Sequence, residues 1–153
     1  MGAWSDPERW ASLVSGEACP ICVRGKPLDI IAEMESSWIT MVETAPLRGY
    51  LCLVCKIHAV ELHDLPEATS LSFIRDARCV SSALARATGA VKLNYEIHGN
   101  SLPHLHLHFF PRYPDDPFQG RPINPKMVTV PVYGPGEFVR LRASFLACLS
   151  EHR

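Results

Sequence analysis

The sequence predicts a chain of mixed α and β elements, with strands interrupted by one long helix and followed by a terminal one. Three observations carry this expectation. Short runs rich in Ile, Val, Leu and Trp are bounded by turn residues, one long stretch keeps helical spacing, and "HLHLHFF" at 104–110 alternates with period two.

The 153 residues, 47% of them hydrophobic, suffice for one well-filled core and are few for two, so a single domain over 1–153 is expected. A formal net charge of −1, without a run of Lys or Arg, gives no footprint for a long nucleic acid. Any nucleotide bound here is expected to be small. No segment approaches the roughly 20 apolar residues of a membrane span. The start "MGAWSDPERW" is acidic where an export signal is basic and then apolar. Gly2 is followed at position 6 by Asp6, where a myristoylation signal wants Ser or Thr. A cytoplasmic location with no membrane partner is therefore expected, and the six cysteines are expected as reduced thiols or metal ligands rather than disulfides.

Taken in order, "DPERWASLVSGE" begins Asp-Pro and carries a partly apolar stripe, the pattern of a short helix ending near Gly16. It runs into "CPIC" at 19–22. "LDIIAEM" and "SWITMVET" are of strand length and separated by the polar "ESS", which predicts a hairpin. "APLRG" breaks the pattern before "YLCLVC", a third and buried strand. "HDLPEATSLSFIRDARCVSSALARATG" opens on Asp64 as the expected helix cap, with Pro66 in the first turn and Glu67 three residues after the Asp to complete a capping box. Within it Phe73, Ala77, Val80 and Leu84 recur at helical spacing, and Gly89 stands at the C-terminal cap. "AVKLNYEI" and "LHLHFFPR" predict two further strands joined by "HGNSLP". Four prolines in "YPDDPFQGRPINP" exclude a regular element, so this stretch is expected to be an ordered or semi-ordered loop. "KMVTVPVYGPGEFVRLRASFLACLSEHR" predicts a short strand and a terminal helix with Phe138, Leu141, Phe145 and Leu149 on one side.

On a strand, His104, His106 and His108 share one face while Leu105, Leu107 and Phe109 share the other. A single zinc cannot take all three. The outer pair would stand roughly 13–14 Å apart on a straight strand, whereas each ligating nitrogen must come within about 2 Å of the metal. A merely solvated face would be built from Thr, Lys or Glu. What the pattern suits is nucleophilic and acid–base work: a neutral imidazole can attack phosphorus if its other nitrogen gives its proton to a fixed acceptor. Neighbouring imidazoles can then stabilise phosphate charge and protonate a leaving group.

"HLHLHFF" resembles the signature of the histidine triad (HIT) superfamily of nucleotide hydrolases and transferases. "LRGYLCLVCKIHAVELHDL" and "KLNYEIHGNSLPHLHLHFFPRY" are similar to its flanking segments, so that the likeness spans about 19–115, with a proline-rich loop and terminal helix over 114–153. The "GN-x-x-PHLH" form is most similar to bacterial proteins related to diadenosine polyphosphate hydrolases. The resemblance implies an α+β fold with a central antiparallel sheet, one long helix and a C-terminal helix, commonly as a homodimer. It implies His106 as the nucleophile that forms a nucleotidyl-phosphoramidate, His108 as the contact to phosphate oxygens and leaving group, and His104 as an orienting and polarising residue. It also implies substrate contacts at Asn94, Asn100 and Ser101, with a nucleotide as the partner.

"C-P-I-C" has the gap that lets two thiolates reach one zinc, although alone it fits a turn or a redox pair as well. The resemblance implies a structural Zn2+ held by Cys19, Cys22, His58 and His104. Cys55 stands where a proline is often found and makes a second CxxC with Cys52, so either could compete as a ligand. A strand would point these two thiols to opposite faces and favour core packing for at least one. Cys79 and Cys148 are expected as small buried residues, His63 and His98 as surface or capping histidines, and His152 at a frayed end. Core packing is the default for Trp38, Tyr50 and Tyr95. The leading expectation is a phosphohydrolase acting on nucleoside polyphosphates of the diadenosine type, or on nucleoside phosphoramidates, with nucleotidyl transfer as its variant. The alternatives are a non-catalytic nucleotide-binding or scaffold protein and a zinc hydrolase using two triad histidines.

Overall fold

The structure is a computed structural model that describes residues 3–128 and 131–151. Its centre is a five-stranded antiparallel sheet in the order β1-β2-β3-β5-β4. The expected hairpin is β1 (Ile30–Glu33) and β2 (Ser37–Thr40), and "YLCLVC" supplies β3 (Leu51–Cys55). β4 (Lys92–Glu96) and β5 (His106–Arg112) follow the long helix, and β5 inserts between β3 and β4.

The sheet's two faces have different partners because its side chains alternate. On one, Ile39, Leu51, Leu53, Cys55, Leu107 and Phe109 meet the apolar stripes of α3 (Glu67–Thr88) and α4 (Glu137–Ser150). Phe73, Ala77, Val80 and Leu84 of α3, and Leu141, Phe145 and Leu149 of α4, are buried as their spacing predicts. Burying each of the larger side chains stabilises the fold by roughly 1.5–3 kcal/mol. Gly89 ends α3 at φ 64. Asp64, by contrast, does not cap α3. Its carboxylate accepts from Val60 and Glu61 N–H and closes a separate 3-10 turn, leaving Pro66 as the cap position. The Asp and the helix start are parted by Leu65, which turns its own backbone to an extended ψ of 141.

The opposite face carries His106, His108, Phe110 and Arg112, with Asn94 and Glu96 beside them on β4 and Cys52 and Val54 on β3. α1 (Pro7–Val14) precedes α2 (Pro20–Arg24), and at one end Cys19 and Ile21 of the α2 segment pack against Val54. The other end is covered by the proline-rich loop, whose Phe118 and Ile123 pack on Leu47 and Phe110. Arg112 orders that loop. Its guanidinium grips Asp116 at 2.8 and 2.9 Å and donates to the Phe118 carbonyl, while Asp116 accepts from the N–H of Phe118 and Tyr113. Where a short strand is expected before α4, the described residues form a 3-10 turn at Pro125–Met127 and no strand, and 129–130 lie outside the described residues. His152 and Gly2 also lie outside them. No helix among the described residues is long and apolar enough to cross a membrane.

Candidate active site and metal centre

The structure gathers Cys19, Cys22, His58 and His104 into a Cys2His2 group whose donor atoms all lie within 4.8 Å of one another. Each arrives from a different local device. Cys19 precedes and Cys22 lies within α2, a short helix started by Pro20 and closed by Gly25 at φ 79, so their three-residue spacing puts both thiols on one side of a single turn. His58 follows the end of β3 and His104 precedes the start of β5.

The second nitrogen of each imidazole fixes its orientation. His104 Nε2–H donates to the Cys55 carbonyl at 2.8 Å and His58 Nε2–H to the Val14 carbonyl at 2.8 Å. Both Nδ1 atoms are then unprotonated and face each other at 3.2 Å. Two lone pairs that close repel unless a cation lies between them. Cys22 Sγ is 3.2 Å from His58 Nδ1 and 3.7 Å from His104 Nδ1, and Cys19 Sγ is 3.4 Å from His104 Nδ1. A tetrahedron with Zn–N of about 2.0–2.1 Å and Zn–S of about 2.3 Å has edges of roughly 3.3–3.8 Å, so this donor set is able to bind zinc as a closed structural site. The carbonyl partners supply the outer shell such a site needs.

The two strand thiols stay out of it. Cys55 is fully buried on the helix-facing side, and Cys52 points the other way, against His108. His104 differs from a plain period-two strand: regular pairing begins at His106, and the His104 ring, 1% exposed, is turned into the metal group. The backbone leaves the ladder here because Leu105 bonds instead to Ala59 and Cys55.

His106 and His108 stand side by side on β5, ring centroids 4.6 Å apart and nearly perpendicular. His106 Nδ1–H donates to the His104 carbonyl at 2.6 Å, so Nε2 is left with its lone pair. The metal-facing residue thus also holds the neighbouring imidazole through its backbone. His108 Nδ1 lies 2.7 Å from the Tyr50 hydroxyl and 3.1 Å from Cys52 Sγ. Burial first, then repulsion from His106 and His98, pushes His108 down to about 4, so the ring is neutral at neutral pH.

A cavity of about 810 Å³ opens beside His108, lined by Tyr50, Phe110, Ile123, Pro125, Glu96 and His98. It is mainly apolar, as small-molecule pockets are. Asn94 lies opposite Phe110, about 13 Å along β5 from the His106 position. Its side-chain oxygen accepts from Arg112 at 2.6 Å, and it lines an adjoining cleft of about 690 Å³ with Tyr95 and Gln119, which shares Glu96 with the cavity beside His108. Asn100 and Ser101 are exposed in the loop that leads to His104.

Three residues near the site escaped the sequence reading. Tyr50 is bonded to His108 rather than being only a core residue, Cys52 completes that contact, and His98 pairs with Glu96 at 2.8 Å. Cys52 was readable in principle, since period two from "YLCLVC" puts it on the non-core face. Tyr95 is half exposed and Trp38 half-buried, while His63 is at the surface as expected. Cys79 and Cys148 are only partly buried on α3 and α4.

Fold and site together define a small antiparallel-sheet protein whose functional strand bears alternating histidines next to a Cys2His2 centre. The model of the HIT domain matches residues 24–115, and the chain belongs to the HIT domain family. It is similar to a histidine triad protein from Bradyrhizobium japonicum, with 27% identity, TM-score 0.69 and coverage of 78% of this chain and 89% of that one. It is also similar to a zinc-bound histidine triad family protein from Mycobacterium smegmatis, with 25% identity, TM-score 0.58 and coverage of 94% and 96%. A histidine triad protein from Marinobacter aquaeolei shares the fold at 23% identity and TM-score 0.69, over 80% of this chain and 88% of that one. No curated protein matches the chain significantly.

Proposed function

We propose that the protein is a nucleotide hydrolase that works through a covalent nucleotidyl-His106 intermediate on nucleoside polyphosphates or nucleoside phosphoramidates. The observation that carries this is the His106 tautomer: Nδ1–H is tied to the His104 carbonyl at 2.6 Å, which leaves Nε2 as an unprotonated nucleophile. Membership of the HIT family supports a nucleotide-binding or hydrolase role.

In the first step Nε2 attacks the α-phosphorus, the P–N bond forms, and the bond to the leaving group breaks, a phosphate departing as its anion and an amine with a proton taken up from solvent. His108 donates a hydrogen bond toward the phosphoryl group or leaving atom. Water then attacks the same phosphorus and gives up one proton to solvent, the P–N bond breaks, and His106 regains its Nε2 lone pair as the nucleoside monophosphate leaves. Zinc bound by Cys19, Cys22, His58 and His104 would supply rigidity, fixing the carbonyl that orients His106, as the zinc-bound Mycobacterium smegmatis relative supports. Asn94, Asn100 and Ser101 are proposed as substrate contacts, with Asn94 exchanging its bond to Arg112 for one to the substrate.

A homodimer is proposed with it, through the outer edge of β4, the sheet's last strand, where Tyr95 and the following Ile97 are exposed. The likeness to diadenosine polyphosphate hydrolases, and a cytoplasmic location, belong to the same reading. The test is release of adenosine monophosphate from diadenosine polyphosphates and adenosine phosphoramidates. Turnover that is lost in His106→Ala supports the proposal; no cleavage of either class, or an active His106→Ala, overturns it.

A further inference from the structure

We propose that Tyr50, backed by Cys52, is a positioning residue that holds His108 in the tautomer opposite to that of His106, so that one ring presents a bare Nε2 and its neighbour an Nε2–H. The inference begins with three mutual contacts. Tyr50 oxygen is 2.7 Å from His108 Nδ1 and 2.9 Å from Cys52 Sγ, and Cys52 Sγ is 3.1 Å from the same Nδ1.

Two proton arrangements route the His108 contact through Tyr50, and a third, with the Cys52 thiol donating to Nδ1 and the Tyr50 O–H to sulfur, leaves Nδ1 bare as the first does. In the first, the Cys52 thiol donates to the Tyr50 oxygen and the Tyr50 O–H donates to a bare Nδ1. Each donor then meets a good acceptor. In the second, His108 Nδ1–H donates to Tyr50, and the Tyr50 O–H is left with a neutral thiol sulfur, a weak acceptor. Burial holds both side chains in their protonated forms, Cys52 up at about 11 and Tyr50 raised as well, so no thiolate is present to reverse the preference. The first arrangement wins, and the His108 proton lies on Nε2, the side of the ring away from Tyr50.

The contrast with His106 follows directly. There the partner is a carbonyl, which can only accept, so it holds the proton on Nδ1. Here the partner is a hydroxyl that donates. Two neighbouring rings are thereby given complementary roles by one backbone oxygen and one phenol. For turnover this rests on the covalent reading above, in which His106 needs a lone pair and His108 a donor; the tautomer itself does not depend on that reading.

The experiment is long-range 1H–15N correlation NMR of the histidine rings in the zinc-loaded protein. His108 is expected as the Nε2–H tautomer and His106 as Nδ1–H. A His108 proton on Nδ1, or the same tautomer on both rings, overturns the proposal. Tyr50→Phe keeps the ring that packs on Phe110 at 4.9 Å and removes only the hydroxyl. In that variant the two His108 nitrogens should move toward the averaged shifts of exchanging tautomers while resonances from the rest of the sheet stay in place. The kcat for the substrates above should fall roughly 10- to 100-fold, the range for partners that orient metal-bound imidazoles, with KM little changed. Cys52→Ser, which keeps a donor to Tyr50, should retain the original tautomer. Unchanged His108 shifts and kcat in Tyr50→Phe overturn the positioning role. If no substrate is turned over by any form, the spectra still decide the tautomer and only the covalent reading fails.

Discussion

Lowering the pH from 7 to 5 should cost the protein more stability than it costs a His108→Gln variant. In the folded chain His108 is held at about 4 by burial, with smaller contributions from His106 and His98, whereas an unfolded histidine titrates near 6.5. Because the folded value is the lower one, the unfolded chain takes up the proton first. Stability present above about pH 6.5 is therefore lost as the pH falls toward 4, and the loss then levels off. Fully expressed, that separation makes the step from pH 7 to 5 worth about 2 kcal/mol for this one group. The ring is only part-buried, and solvent screening brings the expected difference to about 1 kcal/mol. Urea unfolding of both forms at the two pH values, with zinc held constant, measures it as a difference of midpoint shifts at unchanged slope. Comparison with the variant cancels the contributions of carboxylates and metal ligands. Equal losses in the two proteins would refute the assignment of a depressed, neutral His108.

Other consequences follow from the same geometry. Cys19→Ala and His58→Ala should purify without zinc and melt several degrees lower, as metal analysis and thermal unfolding will show, because each removes one of four converging donors. Arg112→Ala leaves the Asp116 carboxylate, 4% exposed, without its cation and held by the N–H of Tyr113 and Phe118 alone; a loss of about 3 kcal/mol is expected, with new proteolytic cleavage in the 114–123 loop. Gly49 has φ +81, and a Cβ there would stand 2.8 Å from Thr88 Cγ2 and 3.0 Å from Pro111 Cγ. Gly49→Ala should therefore cost about 1–3 kcal/mol in a denaturant titration.

Much of this architecture can be read from periodicity. The α3 stripe of Phe73, Ala77, Val80 and Leu84, the alternation of β5 and the opposite pointing of Cys52 and Cys55 all follow from fixed helix and strand periods, which hold wherever regular hydrogen bonding persists. The reading weakens where the backbone leaves that regularity. His104 looks like the first residue of the strand, yet its neighbour bonds to Ala59, and the ring serves the metal group. Asp64 has the spacing of a helix cap and closes the turn before it, because local side-chain bonding competes among nearby N–H groups. The metal ligands come from segments joined only by tertiary structure, so spacing could suggest the CxxC alone and family resemblance had to supply the histidines. The Tyr50–His108 bond and the Arg112–Asp116 lock are likewise cross-element contacts with no period to announce them.

The central claim is that His106 Nε2 becomes covalently bonded to phosphorus. Rapid acid-free quenching of the protein with adenosine phosphoramidate or a diadenosine polyphosphate, followed by intact-mass and peptide mass spectrometry, tests it most directly. The expected result is a transient gain of one adenylyl group on the peptide carrying His106, absent from His106→Ala and decaying as adenosine monophosphate appears. Substrate cleavage with no adduct at any time on the reaction course, or an adduct on another residue, would contradict it.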